Sequence, residues 1–280
     1  MTLYQEMLAA ADPSQVPGLS RFFKTGPGQY GEGDKFLGIK VPVTREIVRR
    51  CWPKTDFAQL ESCVTSEYHE VRLAALLALV EIFKRGNPSL QQSCIDFYLS
   101  HTDGINNWDL VDLSCYPLLG QWLLDKDRSL LYRLARNGKT LWEQRIGMVS
   151  TMTFIRHGQL QDTFDIADIL LHHPHDLIHK AVGWLLREAG KRNQAALEAW
   201  LQACPSADSA NDSACHSDGP SACHSDGLSA CHSDGPSACH SERSEESLPR
   251  YRQMPRTMLR YAIEKLPETR RQQYLKGEIL

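Results

Sequence analysis

Three stretches of this sequence place charged side chains where a helix would bury them. In Asn107-Trp108-Asp109-Leu110-Val111-Asp112, residues four apart share one helix face, so Trp108 lies over Asp112. The neighbours of Asp112 on its helix are Val111, Cys115, Tyr116 and Leu119, which are mostly apolar. A carboxylate there is desolvated unless it is paired, and that is costly. A carboxylate beside an indole stabilises a developing cation. In the second stretch, His179 to Glu188 and onward, Lys180, Trp184, Arg187 and Lys191 form a basic stripe interrupted by an aromatic. Such a stripe suits a sugar-phosphate backbone, and tryptophan is a platform for sugars and bases. A plain solvated face would explain the charges but not the tryptophan. The third stretch, Leu141 to Val149, contributes Arg145. Its guanidinium suits bidentate contact with a carboxylate or a phosphate. Spacing leaves open a salt bridge to Asp112 or Glu143, or a hold on a phosphate while it orients Asp112.

These residues need helices to carry them, and the pattern is helical nearly throughout. Residues 69–83 give a broad apolar face through Val71, Leu73, Leu76, Leu77, Val80 and Ile82. The same logic predicts helices at about 2–11, 14–24, 43–51, 56–64, 87–99, 106–119, 128–136, 140–157, 161–171, 175–191, 194–203, 255–265 and 267–275. No run of alternating strands is evident. Helical pairs recur at roughly 35–45 residues, as in HEAT-like units stacked into a solenoid. A compact irregular bundle is the competing architecture. The segment 24–35 holds four glycines but has neither a Gly-Lys-Ser/Thr ending nor a preceding strand, so it is not a phosphate-binding Walker loop. It reads as a surface loop near the first helices, within reach of a ligand.

Composition narrows the partners. Of the 280 residues, 42% are hydrophobic, enough for a core, and the formal charge is −3. That charge misleads, because residues 205–248 carry eight carboxylates against one arginine, and the rest of the chain is mildly basic. This permits a nucleic-acid partner. No apolar run reaches the roughly 18 residues of a membrane span, and the start lacks the pattern of a signal peptide. The expectation is a cytoplasmic, nucleoid-associated monomer of bacterial type. Five of nine cysteines stand singly and read as free thiols. The other four belong to an eight-residue repeat, Ser-Ala-Cys-His-Ser-Asp-Gly-Pro, which starts at Ser213. Its Cys-His pairs lack the paired ligands and small core of a structural zinc site, so no specific metal is expected. Composition points to a disordered insertion over 205–248, splitting one helical-repeat domain of 1–204 and 249–280.

Five motifs then converge. Asn107–Asp112, Trp142–Arg145, His179–Glu188, Met254–Glu264 and Lys35–Pro42 together resemble the AlkD-type DNA alkylation repair proteins, a family of alkylpurine DNA glycosylases. They stand in family order and cover about residues 1–204 and 249–275. The resemblance implies an all-α, HEAT-like solenoid that clasps duplex DNA in its concave face. It implies hydrolysis of the N-glycosidic bond of N3- and N7-alkylated purines without a flipped-base pocket. The family's catalytic aspartate falls on Asp112, its sugar-contacting tryptophans on Trp108 and Trp184, and its active-site arginine on Arg145. Phosphate contacts are expected from Lys180, Arg187, Lys191, Arg256 and Arg260. The chain departs from the family in its longer 24–35 loop, and it has Phe22-Phe23-Lys24 where an aromatic-x-Lys is expected.

The chemistry agrees. An alkylated N3 or N7 makes the purine cationic and a good leaving group, so a general acid is unnecessary. One carboxylate can stabilise the oxocarbenium-like sugar and activate water. Two indole faces add cation–π attraction. No metal or organic cofactor is required. A catalytically silent protein that binds branched or distorted DNA, and a protein-binding scaffold, are the competing readings.

Overall fold

In the computed structural model, residues 1–204 and 248–279 are described; the Cys-His repeat and the expected 205–248 insertion fall almost wholly outside them. The described residues are all-helical, with no strand beyond one isolated bridge between Lys35 and Tyr68. The first helices are α1 (Leu3–Ala9), α2 (Val16–Phe22), α3 (Val41–Cys51), α4 (Phe57–Val64), α5 (His69–Arg85) and α6 (Pro88–Ser100). The middle of the chain forms α7 (Trp108–Cys115), α8 (Ser129–Asn137), α9 (Leu141–Val149), α10 (Met152–Arg156) and α11 (Gln161–Ile169). Then come α12 (Asp176–Arg192), α13 (Gln194–Gln202), α14 (Arg250–Gln253), α15 (Arg256–Ala262) and α16 (Glu268–Lys276). The starts are specified locally. Thr2, Asp56, Asn87, Asn107, Thr140 and Asn193 each cap a helix by accepting a backbone N–H.

The helices form a helical-repeat solenoid. Helices α3, α5, α7, α9, α12 and α15 pack in series, each against the next, and α4, α6, α8, α11 and α13 each pack against a member of that series. Helix α5 is buried on every side from His69 to Val80, so it is a central helix rather than an amphipathic one. Close approach is built in at Gly183, where a Cβ would lie 2.5 Å from the Met258 carbonyl oxygen. That glycine lets α12 press onto α15.

Two local features differ from the expected pattern. The helix expected over 106–119 ends as α at Cys115 and continues as a π-turn, Tyr116–Gly120. Pro117 has no N–H to continue the ladder, and widening accommodates it. Thr153 Oγ1 donates to the Tyr116 carbonyl at 2.6 Å. The second feature is the short α14, which was not anticipated. Its Arg250 is buried, donating to Asp168 at 2.6 and 2.9 Å.

Arg250 N–H also donates to the Ala203 carbonyl at 3.1 Å, so the chain on both sides of the acidic repeat meets in one hydrogen bond. Deleting residues 206–247 leaves Cys204, Pro205, Leu248 and Pro249 to span that contact, the length of a tight turn. We expect a melting temperature equal to or above that of the full chain, because a shorter loop closes at lower entropic cost. A fall of more than about 4 °C, roughly 1 kcal/mol or more for a chain of this size, would show that the repeat packs against the helices.

Candidate active site

The polar centre is assembled from three helices. The Asn107 side chain caps α7, accepting the Trp108 N–H at 2.9 Å, and thereby sets where the helix begins. One turn later Asp112 meets Arg145 of α9. Arg145 donates from Nε to Oδ1 at 2.9 Å and from Nη2 to Oδ2 at 2.8 Å, a bidentate pair. Its remaining terminal nitrogen, Nη1, donates to the carbonyl of Leu177 in the first turn of α12. The Arg145 guanidinium is thus enclosed and committed to protein partners, and it ties α7, α9 and α12 together.

The two members of the pair are not equally covered. The Arg145 side chain is 6% exposed and that of Asp112 is 16% exposed. Burial raises the Asp112 pKa above its ordinary 3.8, with Arg145 opposing the shift and Asp109 adding to it. The site therefore holds an oriented, largely desolvated carboxylate on a side chain that is not fully enclosed. Trp108 lies one turn before it on α7, and Trp184 lies two turns beyond Leu177 on α12, on the same side. Both indoles are half-buried, on helices flanking the one that carries Arg145.

Trp108 is held in an aromatic box. Phe23 stacks on it with centroids 5.5 Å apart, and Phe22, itself 60% exposed, meets it edge-on at 5.8 Å. Lys24 follows in left-handed backbone, φ 57°. The glycine-rich segment is more firmly held than a surface loop. Its Tyr30 meets Trp142 of α9 at 6.2 Å, and the side chain of Asp34 is buried. Beyond it, Glu70 accepts the backbone N–H groups of Leu37, Gly38 and Ile39 at 2.9–3.1 Å.

Asp34 belongs to a buried ionic cluster that the sequence did not reveal. His69 at the start of α5 contacts Asp34 through Nδ1 at 3.2 Å and Asp109 of α7 through Nε2 at 2.9 Å. Arg72 donates to Asp34 at 2.6 Å and to the Ser66 carbonyl at 2.8 Å. Burial works against the His69 charge, but the hydrogen bonds to Asp109 and Asp34 outweigh it and raise its pKa to about 9. His69 is thus an imidazolium donating to two carboxylates. Because Asp109 adjoins Trp108, this clamp fastens the loop to the helix that carries the site. Asp34, His69 and Asp109 lie too far apart in sequence for any spacing rule to link them.

The clamp has a pH signature. A folded pKa of about 9 against an ordinary 6.5 gives stability that is fully present below 6.5 and lost as pH rises through about 9. We expect the melting-temperature advantage of the wild type over His69→Gln to shrink across that window. A constant difference there would mean that His69 is not charged in the folded protein.

The basic residues named from sequence are less free than their spacing implies. Lys180 pairs with Asp176 at 2.7 Å, Lys191 with Glu188 at 2.7 Å, and Arg187 with Glu264 and Glu188. Arg256 donates to the Leu275 carbonyl, and Arg260 is exposed without an ion pair among the described residues. The stripe on α12 is therefore largely neutralised in the unliganded protein.

The structure is a stack of helices in which a largely buried aspartate is paired with a buried arginine, with a half-buried tryptophan on each of the two helices packed against the arginine's helix. The chain belongs to the family of DNA alkylation repair enzymes, which it matches over residues 3–266. Among solved structures it is similar to a predicted DNA alkylation repair enzyme from Enterococcus faecalis. The TM-score is 0.53 at 16% identity, over 68% of this chain and 87% of that one, a likeness of fold. No curated protein matches the sequence. No helix among the described residues is long and apolar enough to cross a membrane.

Proposed function

We propose that this chain is a DNA glycosylase that hydrolyses the N-glycosidic bond of N3- and N7-alkylated purines in duplex DNA, without a base-flipping pocket. The observation that carries the reading is the Asp112–Arg145 pair: a carboxylate gripped on both oxygens and largely buried, with part of the side chain still exposed, one helical turn from Trp108. The cationic purine leaves without protonation. Asp112 faces the positive charge that develops on the sugar and takes a proton from the attacking water. In a poorly hydrated site that attraction far exceeds its value in bulk water. Arg145 acts by orienting Asp112 rather than by gripping phosphate. Trp108 and Trp184 flank the sugar, each contributing roughly 0.5–2 kcal/mol of cation–π attraction. Lys180, Arg187, Lys191, Arg256 and Arg260 bind phosphates, which displace the present carboxylate and carbonyl partners. The mechanism calls for no metal or organic cofactor.

The test is release of free alkylpurine from methylated duplex DNA by the wild type, followed by chromatography of the released base. Release with an abasic strand left behind supports the reading. Tight duplex binding with no release would mark a silent DNA-binding relative instead.

A further inference from the structure

A concentration of positive charge lies away from the residues assigned above. A cleft of about 990 Å³ opens between α3, the end of α5, the π-turn after α7, and α10. Arg45, Arg49, Lys84, Arg85 and Arg156 line it, with Glu81 as its one carboxylate. Glu81 pairs with Lys84 and Arg85. Arg45, Arg49 and Arg156 are exposed and have no acidic partner among the described residues. Two aromatic faces accompany them. The Arg85 guanidinium lies over Trp52 at 4.6 Å, and that of Arg156 over Tyr116 at 4.7 Å. Helix dipoles favour one or two cations at each helix C-terminus. They do not explain why three such termini, those of α3, α5 and α10, converge on one cleft.

The cleft is in line with the candidate site. Tyr116 follows Asp112 by one helical turn on the same face, a rise of about 6 Å. Arg156 follows Arg145 by eleven residues, about 16 Å if measured as continuous helix; Ser150 and Thr151, the turn between α9 and α10, keep right-handed backbone angles. At about 3.4 Å per nucleotide along a strand, that interval corresponds to roughly two to five nucleotides.

We propose that this cleft is a second phosphate site, which holds the backbone of the same duplex a few nucleotides to one side of the lesion. The proposal rests on the DNA-binding part of the reading above and not on its chemistry. The planar guanidiniums suit phosphodiester oxygens, and those of Arg85 and Arg156 rest on aromatic rings. The consequence is an asymmetric footprint, with one flank of the lesion bound more strongly than the other.

The test uses the full chain and plain duplex DNA, with affinity measured against salt. Arg49→Ala/Arg156→Ala removes one exposed charge from each side of the cleft. Its salt slope is expected to fall by about two relative to wild type, one per lost phosphate contact. Arg49→Lys/Arg156→Lys should retain most of the slope. Arg133→Ala/Arg136→Ala removes two exposed charges from α8, outside the cleft, and should change little. On methylated duplexes trimmed to about three base pairs on one side or the other, at the short end of that interval, wild-type affinity should drop for one trimmed side only. The cleft variant should be indifferent to that side. An unchanged slope in the cleft variant, or an equal fall in the α8 variant, overturns the proposal. So does binding of inorganic pyrophosphate or ATP that the cleft variant loses while its duplex slope stays the same, since that result marks a small-anion site. A fall in slope by a protein that releases no base would uphold the cleft and refute the glycosylase reading.

Discussion

Asp112→Asn is expected to lower base release from methylated duplex by about 10²–10⁴-fold, while duplex affinity stays within a few-fold. The substitution keeps the shape of the side chain, and one oxygen can still accept from Arg145. It removes the negative charge that faces the developing sugar cation and the base that activates water. Both effects act in the transition state, so the loss appears in the rate of the chemical step and not in binding. Single-turnover release and equilibrium binding, measured side by side, separate the two. Full activity in this variant would remove Asp112 from the chemistry. The wild type carries a second signature. Burial raises the Asp112 pKa, and catalysis needs the ionised form. The rate should therefore fall on the acid side with a midpoint above 3.8, and the limb should vanish in Asp112→Asn.

Arg145→Met is expected to destabilise the protein by about 3–5 kcal/mol, because it leaves Asp112 buried without its counter-charge. The loss also strips the Leu177 carbonyl of its donor, loosening α12 against α9. Urea unfolding measures it. The double variant Asp112→Leu/Arg145→Met should recover much of the stability, since no isolated charge is left behind. If the single variant is as stable as wild type, the pair is not a structural tie. Its effect on chemistry has a definite sign. Arg145 opposes the rise in the Asp112 pKa, so its removal should move the acid limb of activity to higher pH. That shift distinguishes a positioning and charge-tuning role from simple loss of fold.

Much of the architecture was legible in the chain. Capping residues such as Asn87, Thr140 and Asn193 mark helix starts, and apolar periodicity marks the faces, because both act through backbone neighbours within a turn or two. For the same reason Trp108 and Asp112 were visibly paired on one helix. The sequence also showed that Arg145 wants a planar anionic partner, while leaving that partner open. Tertiary structure settled it as Asp112, because only the stacking of α9 between α7 and α12 brings the guanidinium to that carboxylate and to the Leu177 carbonyl.

Other features had no local signature at all. Helix α5 reads as amphipathic by pattern, yet it is buried on every side from His69 to Val80, where His69, Glu70 and Arg72 meet Asp109, the backbone at Leu37–Ile39 and Asp34. The glycine-rich segment reads as a loop, yet Asp34 fastens it beneath the site. The stripe Lys180, Arg187 and Lys191 reads as free charge, yet carboxylates from its own helix and from the turn after α15 meet it. Meanwhile Arg45 and Arg49 share a face of α3, but no spacing connects them to Arg156, which converges with them on one cleft. Periodicity and capping are properties of residues a few positions apart, and the chain alone determines them. Desolvation, ion-pair partners and net charge at a surface depend on which distant helices come together, and only the tertiary structure decides that.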